Sequence, residues 1–229
     1  MRFYLVHLGG ALGIFSVALL LILNFDLDWR ISRFFFDAAH GTFPLHDDWF
    51  LERVAHVAAR NAVVLFGLAT LVAAVASFRI RALARYRRLL WFVFLAMLLP
   101  SSAVSGLKAA TGMHCPYDLR DFGGQLPYVG LLESLPAGMA PGKCWPGGHA
   151  SAGFCLFGLY FAARALNRRR LAAHLLGGVL VFGFALGTAR VAQGAHFVSH
   201  NLWSALICWL VTLGLYEATI RRRPFPKGD

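Results

Sequence analysis

Polar residues withdraw from six stretches of the chain, at about 4–23, 54–77, 89–107, 150–166, 171–189 and 202–216. Roughly 20 consecutive apolar residues let a helix cross the hydrocarbon core of a bilayer. The apolarity in these runs is continuous, where the strands of a membrane barrel would alternate, so each is read as a helix. The expected fold class is an all-α integral membrane protein, a six-helix transmembrane bundle forming one membrane domain over residues 1–229. The first run starts where a signal peptide would, but it is too long and lacks a small-residue cleavage pattern, so it is expected to be retained. Pro100 interrupts the third run, where neighbouring helices can satisfy the freed carbonyl.

Two of the intervening segments are more than turns. Residues 24–53 scatter Trp29, Ile31, Phe34, Phe35, Phe36, Trp49 and Phe50 among charges, the pattern of short amphipathic helices at the headgroup level on the outer side. Residues 108–149 show little apolar periodicity and carry Pro, Gly, His, Cys and charged residues. Long irregular loops in compact domains are usually functional, and this one is the expected active-site loop.

Composition narrows the class. The chain is 58% hydrophobic and 14% charged, too apolar for disorder and too poor in charge for an ordinary soluble domain. A net charge of +11 suggests nucleic acid only until the charges are located. Fourteen basic residues, among them Arg79, Arg81, Arg85, Arg168 to Arg170 and Arg221 to Arg223, face two acids on the ends and loops that six alternating crossings place together. The other side holds eight basic residues and nine acids. The positive-inside rule then puts both termini in the cytoplasm and the active-site loop on the periplasmic side of an inner membrane, with no nucleic-acid partner.

Candidate chemistry gathers on that outer side. Lys108, His114, Cys115, Asp118, Arg120 and Asp121 follow the third run; Cys144, Trp145, Pro146, Gly147, Gly148 and His149 lead into the fourth; Arg190, His196 and His200 lie between the fifth and sixth. Glycines opening a helix let backbone N–H groups approach phosphate oxygens. Lys108 and Arg190 supply fixed positive charge to the same anion. Two histidines complete a reaction, one attacking phosphorus and one protonating the departing oxygen. Singly, each feature has a plainer reading: a snorkelling lysine, solvated loop histidines, a Gly-Gly turn, an interfacial arginine.

The spacing resembles the type 2 phosphatidic acid phosphatase superfamily of integral-membrane lipid phosphatases and phosphotransferases. Its first motif, Lys, six residues, Arg-Pro, is approached by Lys108 and Cys115-Pro116. The second, Pro-Ser-Gly-His, is approached by Pro146-Gly147-Gly148-His149. The third, Ser-Arg, five residues, His, three residues, Asp, is approached by Ala189-Arg190, His196 and His200. The resemblance implies a mechanism without metal or other cofactor. It implies His196 as the nucleophile that forms a phosphohistidine, His149 as the general acid, and Lys108, Arg190, Gly147 and Gly148 as the phosphate cradle. The implied partner is the bilayer itself, and the implied substrate a phosphorylated lipid such as polyprenyl diphosphate, lipid A or phosphatidylglycerophosphate. Water as acceptor makes a phosphatase; a lipid acceptor makes a phosphotransferase.

Four positions depart from the motifs. Cys115 stands for Arg, and Arg120 or His114 is the candidate replacement for the lost charge. Gly147 and Ala189 stand for Ser. His200 stands for the Asp that would orient His196, a role His200, Asp118 or Asp121 is candidate to take. Cys115 and Cys144 share the outer loop while Cys155 and Cys208 fall inside runs, so a Cys115–Cys144 disulfide is expected in an oxidising compartment. Gly183 and Gly187 predict a close helix contact. Two other readings remain open: a zinc set drawn from His114, Cys115, Cys144 and His149 or from His196 and His200, and a phospholipid transporter that uses the cationic pocket without chemistry.

Overall fold

The computed structural model describes residues 1–222, and of residues 55 and 56 the main chain only. Arg223, Lys227 and Asp229, which enter the charge tally, lie outside the described residues. The described chain is helical, with two isolated bridges, Asp37 to Thr42 and Leu119 to Leu126, and no longer β-structure among the described residues. Among the described residues, five helices are long and apolar enough to cross a membrane. These are α1 (Arg2–Asn24), α3 (Leu51–Ala76), α4 (Arg87–Ala110), α7 (Arg169–Ala192) and α8 (Val198–Arg221). Between α1 and α3 lies the short α2 (Leu27–Phe35).

The fourth apolar run departs from expectation. It folds as two short helices, α5 (Gly148–Phe154) and α6 (Phe157–Ala165), and not as one crossing of bilayer length. At the break the bonding tightens: Leu156 N–H donates to Gly153 O at 3.2 Å and Leu159 N–H to Leu156 O at 2.9 Å, three-residue spacings in place of four. Packing explains the bend. A Cβ on Gly153 would sit 2.5 Å from Gly183 Cα, and one on Gly158 would sit 2.6 Å from Ala96 Cβ, so α5 locks onto α7 and α6 onto α4 at glycine contacts that a straight helix need not align. Gly183 thereby makes the close approach its Gly-x-x-x-Gly suggested, with the Phe154 ring against it. Pro100, by contrast, leaves α4 continuous.

α5 and α6 form the centre, packed by α4, α7 and α8, while α3 leans on α4 and α1 on α8. Phe154, Phe157 and Phe161 are fully buried there. On α1 and α3 large apolar side chains such as Ile14, Leu23, Leu65 and Val72 are exposed. Contiguous apolar surface on that scale is untenable in water and ordinary in lipid. α1 is fastened by polar contacts: His7 Nε2 is 2.7 Å from Tyr160 OH, and Trp209 Nε1 donates to His7 O at 2.6 Å. Above α8, Trp29 of α2 stacks on Phe122 and meets Phe197, and Asp28 Oδ1 accepts the Ser199 N–H at 2.8 Å. A carboxylate from another element thus caps the start of α8.

Candidate active site

Main-chain bonds zip the three motif segments together. Gly142 N–H donates to Gly112 O and Cys144 N–H to Met113 O, both at 3.0 Å, and Thr111 Oγ donates to Trp145 O at 2.7 Å. The second and third segments meet where Gly147 N–H donates to His200 O at 3.1 Å and Ser204 Oγ donates to Gly147 O at 2.9 Å. The first and third meet where Tyr117 N–H donates to Gly194 O at 3.0 Å. That bond needs the turn at Gly194, whose φ of +70° and whose contact with the Phe43 ring both exclude a side chain.

Side chains converge on His196, which is 2% exposed. Lys108, in the last turn of α4, brings Nζ to 3.6 Å from where a Gly148 Cβ would be, so its ammonium stands at the opening of α5. The His149 ring centroid is 6.2 Å from that of His196. Nδ1 of His196 faces Nδ1 of His200 at 3.5 Å and Sγ of Cys144 at 3.4 Å, which leaves Nε2 as the nitrogen free for chemistry. Burial first, and then His200, Lys108, His149 and Arg190, push the His196 imidazole well below its usual pKa. It is therefore neutral near pH 7, the form that can attack.

Cys115 and Cys144 are disulfide-bonded, with Cα atoms 5.1 Å apart. Both sulfurs of the zinc set weighed from sequence are thereby spent. The Cys144 sulfur carries no proton, so its 2.9 Å approach to Ala195 O is a contact and not a donated bond.

Arg120 is exposed and donates from Nε to Gln125 O at 3.0 Å, committed to its own turn. Asp118 Oδ2 accepts the Cys115 N–H at 3.2 Å and so caps that turn. His114 is buried with Nε2 lacking a hydrogen-bond partner. Gly147 has a reason for lacking the family's hydroxymethyl: a Cβ there would lie 2.7 Å from Asn201 Oδ1, itself buried without a partner.

Sequence reasoning missed Arg190's partners. Its Nη1 donates to Glu52 Oε2 at 3.1 Å and to Gln193 Oε1 at 2.9 Å. Gln193 is anchored in turn, its Nε2 donating to His46 O at 3.1 Å while His46 Nδ1 lies 3.0 Å from Gln193 O. The three-residue spacing from Arg190 to Gln193 was readable as one helix face; the pairing with Glu52, from another helix, carried no sequence signal. The Gly147 N–H, expected in the phosphate cradle, is taken by His200 O, so the arrangement can hold a phosphate between Lys108, Arg190 and the Gly148 main chain, beside a neutral imidazole.

The sequence model of the PAP2 superfamily matches residues 88–224, a region that contains all three motifs. Comparison with curated proteins and with solved structures found no match.

Proposed function

Because the chain belongs to the PAP2 superfamily, whose members are phosphatases acting on phosphorylated substrates, we propose that it removes a phosphate from a membrane lipid through a phosphohistidine intermediate. The observation that carries the reading is the buried, neutral His196 with Lys108, Arg190 and His149 about it.

In this mechanism the phosphate enters between the Lys108 ammonium, the Arg190 guanidinium and the Gly148 N–H group, and Glu52 yields its hold on Arg190. Nε2 of His196 attacks phosphorus while His149 protonates the leaving oxygen. His149, now neutral, takes a proton from water, whose oxygen attacks the phosphohistidine and frees inorganic phosphate. His200 orients His196 from the Nδ1 side, and the fixed cations stabilise charge on the transferring group. His114 is nearest in sequence to the position that lacks the family's arginine.

α5 and α6 together complete a sixth crossing of a single membrane domain. Both termini then lie in the cytoplasm, the site lies at the periplasmic face of an inner membrane, and α2 rests at the interface. The arginine asymmetry supports this orientation. The substrate belongs with polyprenyl diphosphate, lipid A or phosphatidylglycerophosphate. Purified protein incubated with a panel of these lipids should release inorganic phosphate from at least one; release from none, in a folded preparation, defeats the reading.

A further inference from the structure

We infer that Cys144, His196 and His200 form a latent site for Zn²⁺ or a similar soft divalent cation, which the Cys115–Cys144 disulfide keeps closed. All three side chains are buried, at 0%, 2% and 1% exposure. One donor atom from each lies within 4.8 Å of the other two. Two of these separations are 3.4 Å, from Cys144 Sγ to His196 Nδ1, and 3.5 Å, between the two Nδ1 atoms. Tetrahedral zinc, with bonds of about 2.3 Å to sulfur and about 2.0–2.1 Å to nitrogen, sets such donors roughly 3.4–3.6 Å apart. Two edges of a coordination tetrahedron are therefore already in place.

The main chain at Cys144 is held by bonds other than the bridge. Cys144 N–H is held by Met113 O at 3.0 Å, and the neighbouring Trp145 O by Thr111 Oγ at 2.7 Å. While the S–S bond stands, Cys144 has no thiolate to offer. A dithiol opens it by supplying two electrons and two protons, leaving thiols on Cys115 and Cys144 and becoming a cyclic disulfide itself. Zn²⁺ then displaces the Cys144 thiol proton, and two neutral imidazoles add their lone pairs. A phosphate oxygen fills the fourth position, and its negative charge offsets the nearby Lys108 ammonium.

The consequence for catalysis rests on the reading of His196 as nucleophile: zinc should inhibit the thiol form and spare the disulfide form. Binding itself does not rest on that reading, and the test reads binding. Cobalt(II) is titrated into the purified Cys115→Ser variant, whose Cys144 cannot form its bridge, and into wild type reduced with a dithiol and desalted without air. One equivalent should bind with thiolate-to-cobalt charge-transfer absorption, oxidised wild type should give none, and adding His196→Ala to Cys115→Ser should weaken binding by more than about tenfold. No charge-transfer band in either thiol form overturns the inference, as does equal binding by oxidised wild type or affinity indifferent to His196. Should Cys115→Ser not fold, reduced wild type decides alone. A wild-type preparation that releases no phosphate from any lipid defeats the hydrolase reading and leaves the cobalt result standing.

Discussion

The sulfur of Cys144 lies 3.4 Å from Nδ1 of His196, so the imidazole at the nucleophile position is backed by a disulfide and by His200, where the family's motif would place a carboxylate. A disulfide sulfur can accept a weak hydrogen bond but cannot donate one. It therefore favours a proton on His196 Nδ1 and a lone pair on Nε2, the tautomer a nucleophile needs.

Replacing His200 by Asp should preserve or raise activity. A carboxylate at this position accepts from His196 Nδ1–H and stabilises the cationic phosphohistidine, which neutral His200 does only in part. Turnover of His200→Asp, with folding checked by thermal melting, tests this. Collapse of turnover in a folded variant would assign His200 a separate task.

The pH dependence has a definite sign. His196 has a folded-state pKa lowered chiefly by burial, so the acid limb of kcat/KM that it sets should lie below about pH 6.5. Stability is linked to the same shift. Below about pH 6.5 the unfolded imidazole takes up a proton that the folded one refuses, so stability falls as pH drops from there towards the folded pKa. Melting temperature against pH should show this slope in wild type and a shallower one in His196→Asn. An equal slope in both would place the effect on other groups.

Much of this architecture was legible in the sequence because bilayer thickness sets a length that the apolar runs must meet. α1, α3, α4, α7 and α8 follow from that length, and the Cys115–Cys144 pair from placing two cysteines in one loop and two in helices. The break between α5 and α6 was hidden, since hydropathy is blind to Gly153 and Gly158 each meeting a different neighbour. Partners drawn from other elements, such as Asp28 on Ser199 and Glu52 on Arg190, were hidden as well. Their separations in sequence are set by the bundle and by no local period.

Gly147 and Asn201 should behave as a coupled pair. Restoring the family residue with Gly147→Ser puts a side chain into the space of Asn201 Oδ1, and should cost roughly 1–3 kcal/mol of stability through overpacking. Adding Asn201→Ala should recover part of that loss. A double-mutant cycle on melting temperature measures the coupling, and strict additivity would show that the two sites do not share the space.

Glu52 Oε2 holds Arg190 Nη1 at 3.1 Å, and in the proposed mechanism it competes with the substrate phosphate. The pair is partly exposed, so its strength is modest, and Glu52→Gln should lower KM for the lipid substrate by no more than about fivefold. A raised KM would instead mean that Glu52 positions the guanidinium for phosphate.

The disulfide closes a loop of 29 residues in sequence separation, and loop-closure entropy assigns such a bridge roughly 3–4 kcal/mol. A Cys115→Ser, Cys144→Ser variant should melt several degrees below wild type. Non-reducing mass spectrometry of wild type should recover the two peptides linked. Full alkylation of both cysteines without reductant would contradict this.

The central claim is the covalent intermediate on His196. Wild type and His149→Ala are mixed with lipid labelled in its phosphate, quenched in alkali and digested, so that acid-labile phosphoramidates survive. The account predicts label on the peptide that carries His196, absent from His196→Ala, whose turnover falls by several orders of magnitude. Label on another residue, or a His196→Ala variant that keeps more than about a tenth of wild-type turnover, would contradict it.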